Sequence, residues 1–94
     1  MDVDWSHAVD HMWRRHRVET WAAEEALHDP ERVVLNPDPA SISGQSVRVI
    51  GFSASRSTVL SVIVVVEDDI EYGANAFPSN RRDQHLYFAK EGNS

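Results

Sequence analysis

An α+β fold is predicted for this chain, with a four-stranded antiparallel sheet packed by two N-terminal helices and one C-terminal helix. Three observations predict it. Apolar residues recur at helical spacing ahead of Pro30. Four segments rich in Val and Ile then follow, divided by turn residues. The last three of these segments are joined by short connections, which permit only antiparallel neighbours.

Each element has a local reason. Trp5, Ala8, Val9, Met12 and His16 form one helical stripe, which predicts a helix over residues 6–16 with Ser6 as its cap. A break at "HRV" precedes a second helix from about Thr20 to His28. Ala23, Ala26 and Leu27 face inward there, Val18 staples the first turn, and Pro30 stops it. "RVVL" (32–35) reads as a first strand ended by "NPDP". "SVRVIGF" (46–52) alternates, with Val47, Val49 and Gly51 opposite Arg48, Ile50 and Phe52. "TVLSVIVVVE" (58–67) is the most apolar stretch and the candidate central strand. After the acidic turn "EDD", "IEYGANAF" (70–77) makes a fourth strand, where Gly73 signals a bulge or a close backbone approach. Asn80 can cap a final helix over roughly 81–90. Val47, Val49, Leu60, Ile63 and Val65 are the expected core between sheet and helices, with all three helices on one sheet face.

The 94 residues, 41% of them hydrophobic, suffice for a single domain over 1–94 with one modest core. The absence of cysteine excludes disulfides and thiolate metal sites. No apolar run approaches the roughly 20 residues of a membrane span. The acidic start "MDVDWSH" lacks a secretory pattern, so a cytoplasmic protein without membrane contact is expected. A net charge of -6 opposes non-specific nucleic-acid binding. Arg14, Arg15 and Arg17 nevertheless cluster, as do Arg81 and Arg82.

Other sequence features carry less. His7 and His11 stand one helical turn apart, but no HExxH pattern surrounds them, and a polar helix flank with no metal is the expectation. The two N-terminal helices resemble a helix-turn-helix, yet Glu24 and Glu25 on the second would repel phosphates. Trp5 belongs to the apolar stripe, whereas Trp13 and Trp21 suit contact with a protein partner. The segment "YGANAFPSNRRDQHLY" (72–87) with Arg48 gathers residue types suited to metal-free RNA cleavage, namely cations for the phosphate and groups that move protons. Arg48, Arg82, Tyr72 and His16 are the candidate catalytic residues. Asn75, Arg81, Tyr87 and His85 are the candidate substrate-binding residues. No cofactor is expected.

The order of segments resembles the BrnT family of small bacterial toxins, in the RelE-like superfamily. The correspondence rests on Trp5, "RHRV" (15–18), "AAEEALHDP" (22–30), "VIG" (49–51), "VLSVIVVV" (59–66), "YGANAFPSN" (72–80) and Tyr87. It spans nearly the whole chain through short motifs. It implies the toxin of a type II toxin–antitoxin pair, an endoribonuclease that cuts mRNA, free or on the ribosome. An adjacent DNA-binding antitoxin would neutralise it and carry any oligomer. The family's arginine in its "ISARKAT" segment falls here near Asn75 or Phe77, and its arginine before the "IG" strand falls near Ser46. Arg48 and Arg82 would therefore be substitute cations. The alternative on the same fold is a non-catalytic protein-binding module.

Overall fold

The computed structural model describes residues 3–92. Its order is β1 (Val3–Asp4), α1 (Val9–His16), α2 (Thr20–Leu27), β2 (Val33–Leu35), β3 (Ser46–Ser53), β4 (Thr58–Glu67), β5 (Ile70–Pro78) and α3 (Arg81–Gly92). The sheet has five strands in the order β1-β5-β4-β3-β2. Four are antiparallel, as expected. β1 is an added edge that pairs parallel with β5 through Val3–Glu71 and Asp4–Tyr72. Two residues have no periodicity to read, which is why the sequence predicts four strands instead of this mixed five-stranded sheet.

The helices also divide differently from expectation. α1 and α2 cover one face of the sheet, where Val49, Leu60, Val62, Val64 and Ala76 join Ala8, Met12, Val18, Ala23 and Ala26 in a buried cluster. α3 lies on the opposite face, where Tyr87 and Leu86 meet Ile50, Val59, Val33 and Leu35. β3 and β4 carry apolar residues at both parities because both of their faces are covered. Register pairs Val49 with Val62 and Gly51 with Leu60 toward α2, and Ile50 with Ser61 toward α3. Leu60 is therefore core as expected, but Ile63 and Val65 point to the other face and are only half-buried.

α1 starts at Val9, three residues later than its stripe suggests, and Ser6 is not its cap. Ser6 instead donates its backbone N–H and its hydroxyl to the Asp4 carboxylate, at 2.8 and 2.6 Å. The helix stops at Arg17, which adopts the left-handed conformation at φ 56. Arg17 N–H reaches Trp13 carbonyl and Val18 N–H reaches Met12 carbonyl, which satisfies the last carbonyls and turns the fully buried Val18 under α2. Two glycines permit the layers to touch. A Cβ at Gly51 would stand 2.1 Å from the Ala26 carbonyl oxygen, and one at Gly73 would stand 2.1 Å from the Trp5 ring. β5 is bulged beside Gly73, since Ile63 pairs with Asn75 while Val64 pairs with Gly73. At the far end of the strands, Asp68 and Asp69 form a two-residue turn with φ of 52 and 64.

Candidate functional site

The strongest polar cluster lies where α3 begins. Asn80 caps the helix, its side-chain oxygen accepting the Asp83 N–H at 2.8 Å. That cap fixes the first turn and aims Asp83, which is 2% exposed, back at the sheet. There Arg48 Nη1 donates to Asp83 Oδ2 at 2.7 Å, and Ser61 Oγ donates to the same oxygen at 2.7 Å. Ser61 and Ser79 hydroxyls are also bonded at 2.7 Å. On the other side, Arg48 Nε stands 3.0 Å from Asp38 Oδ1, an ion pair in which the N–H is not aimed along a hydrogen bond. Burial opposes the Arg48 charge, but hydrogen bonding and attraction to Asp83, with the Asp38 charge behind it, outweigh burial and raise its pKa. The guanidinium is a fixed cation held between two carboxylates.

A hollow of about 260 Å³ opens beside this cluster, lined by Leu35, Pro39, Arg48, Asn80, Arg82 and Asp83 among others. It brings together Arg48 and Arg82, the two expected phosphate-binding cations. Arg48 is already engaged by Asp38 and Asp83, whereas Arg82 is exposed at the start of α3.

Asn75 stands in the same cross-strand row as Arg48, on the same sheet face with Ile63 between them, and the other candidates do not line this hollow. Tyr72 faces His7 across 5.8 Å between ring centroids and lines a different hollow with Val65, Glu67 and Ala74. His16, at the end of α1, packs on Phe77 with ring centroids 5.6 Å apart. Burial, then the nearby His11 and Arg15, depress its pKa and favour the neutral imidazole. The Arg48 guanidinium lies over the same Phe77 ring at 5.7 Å, so His16 and Arg48 share an aromatic neighbour. The Asn75 side-chain oxygen accepts the Ala76 N–H at 2.9 Å. Arg81 and His85 are exposed on α3. Tyr87 is buried, and its hydroxyl donates to Asp29 Oδ2 at 2.5 Å.

Asp29 and Glu25 are the other tie points. Burial would raise the Asp29 pKa, but bonds from Tyr87, from Phe52 N–H and from Glu31 N–H, with Arg32 nearby, hold it below the ordinary carboxylate value. Glu25 accepts from the Ser55 and Ser53 hydroxyls and from Ser55 N–H, which lowers its pKa and pins the β3–β4 turn to α2. His7 and His11 turn to different neighbours, Tyr72 and His16. Among the described residues no group of three His, Asp or Glu side chains is placed to hold a metal, and no helix is long and apolar enough to cross a membrane.

Asp38 and Asp83 escaped the sequence reading. The available signal was Arg48 itself, because an arginine at an inward position of an apolar strand requires carboxylate partners. Neither known family models nor curated proteins give a match to this chain.

Proposed function

We propose that the protein is a non-catalytic binding module of the BrnT-like toxin type, the member of a type II toxin–antitoxin pair that is captured by a protein partner. The observation that carries this reading is the exposure of one tryptophan on each of the two N-terminal helices. Trp13 is 46% exposed on α1 and Trp21 is 63% exposed on α2, with the Arg17 guanidinium 5.2 Å from the Trp13 ring centroid. Val9, 48% exposed, stands one turn before Trp13 on the same helix. Tryptophan and arginine together on a solvent face are the usual anchors of protein interfaces. The commitment of Arg48 to Asp38 and Asp83 argues against nuclease chemistry built on it.

The test is co-expression with the product of the adjacent gene. A stable complex is expected, weakened at least ten-fold by Trp21→Ala or Trp13→Ala, at about 1.4 kcal/mol per factor of ten. A complex indifferent to both substitutions would overturn the reading.

A second reading, a metal-independent ribonuclease that cuts mRNA, draws on the hollow shared by Arg48 and Arg82. It requires that Arg82→Ala relieve growth arrest on expression and reduce mRNA cleavage by about 100- to 1,000-fold. Intact mRNA on and off ribosomes after incubation with the wild-type protein would remove it.

A further inference from the structure

α1 and α2 cover only part of their sheet face. Beyond the end of α2, Val34, Val47, Val49, Val64 and Val66 stand side by side on that face, as the pairings Val34–Val49 and Val47–Val64 require. With Leu27 as a wall they line a groove of about 250 Å³. Val49 and Val64 form its floor at 3% and 2% exposure, while Val34 and Val66 are 51% and 42% exposed. The groove crosses from β2 to β5, three interstrand steps of about 4.8 Å, or roughly the length of nine or ten helical residues. Its charge is lopsided. Glu71 lines the β5 side, and the exposed Asp68 and Asp69 form the turn just beyond Val66. Arg32 lines the other side, where its Nη1 donates to the Asp29 carbonyl at 3.2 Å.

We propose that this groove receives a basic amphipathic helix of a partner protein, laid across the strands beside α2. Its apolar stripe covers the valines, and its Lys or Arg residues meet Glu71, Asp68 and Asp69. The apolar strip supplies the burial, and the acidic end selects the sign of the partner and its direction. Neither Trp13 nor Trp21 lines this groove, and the inference does not depend on the toxin reading.

The test uses two synthetic amphipathic peptides, one with leucine and lysine faces and one with glutamate replacing every lysine. The lysine peptide is expected to bind and to shift the amide signals of Val34, Val47, Val64 and Val66. Binding should weaken as salt rises from 0.05 to 0.5 M, concentrations set around a Debye length of about 10 Å at 0.1 M. Val66→Asp and, independently, Val34→Asp should weaken binding by about ten-fold or more, and Glu71→Gln by about two- to five-fold. Both valines are exposed, and unchanged near-ultraviolet circular dichroism checks that each variant is folded. Trp21→Ala should leave peptide binding unchanged. The proposal is overturned if the glutamate peptide binds as tightly, or if folded Val66→Asp and Val34→Asp proteins still bind the lysine peptide as the wild type does. It is also overturned if the wild type is a dimer through this face, broken by Val66→Asp, that takes up neither peptide.

Discussion

The two faces of the sheet are held by different physics. Toward α1 and α2 the centre of the contact is apolar: alanines, valines, Met12 and Leu60 meet there, and Gly51 lets the helix backbone touch the strand. The polar ties, Glu25 to Ser53 and Ser55 and Trp5 to Glu24, lie at its margins. Toward α3 the apolar cluster is small, and the helix is tied by Arg48–Asp83, Ser61–Asp83 and Tyr87–Asp29. The first face depends on shape and volume. The second depends on charges that must all be present together, since a buried ion left alone costs more than the pair contributes.

That contrast can be broken most forcefully at Asp83. Asp83→Ala leaves Arg48 buried with one remaining carboxylate and should cost about 3–5 kcal/mol in chemical denaturation. Replacing Arg48, Asp38 and Asp83 together with apolar residues of similar volume should cost much less than that single change. Equal losses would mean that packing, not charge, holds α3. On the face toward α1 and α2, Leu60→Ala should cost about 2–5 kcal/mol through burial and cavity, and more than Ile63→Ala on the half-buried opposite parity. The reverse ranking would place the core on the wrong side of β4.

Tyr87→Phe sharpens the comparison at the far end of α3. It removes one bond to an ionised carboxylate and should cost about 1.5–3 kcal/mol at pH 7. Asp29 ionises at lower pH in the fold than in the unfolded chain, so the unfolded chain takes up the proton first as pH falls. This contribution is therefore present above the unfolded value near 3.8 and lost as pH falls through it toward the lower folded value. Acid titration of the melting temperature should show a shallower decline for Tyr87→Phe than for wild type. Gly51→Ala, where the added methyl meets the Ala26 carbonyl, should cost about 1–3 kcal/mol. The smallest effect belongs to the exposed Trp21, whose replacement by alanine should alter stability by less than about 0.5 kcal/mol while weakening partner capture.

Much of the scaffold was legible because it is local. The long apolar run gave β4 its observed limits, alternation assigned the two faces of β3, and Asn80 does cap α3. Gly73 combines the bulge and the close approach that its place in a strand suggested. The division of helices between two faces was not legible, because β3 and β4 are apolar at both parities and a pattern without contrast names no inner side. The candidate site was legible by residue type only. Arg48 and Arg82 do share a hollow, but Asp38 and Asp83 sit 10 and 35 positions from Arg48 in sequence, and no local pattern joins them.

Those separations have a consequence for the order in which the chain assembles. Arg48 meets Asp83 across 35 positions and Tyr87 meets Asp29 across 58, whereas the β3–β4 and β4–β5 hairpins close through short turns. Loops of that length form slowly relative to hairpins, and α3 gains its anchors only after the strands that carry Arg48 and Ser61 are aligned. α3 is thus expected to dock after the two hairpins have closed and to leave before they open. Its amides should exchange with solvent through a partial opening that leaves β3 and β4 protected.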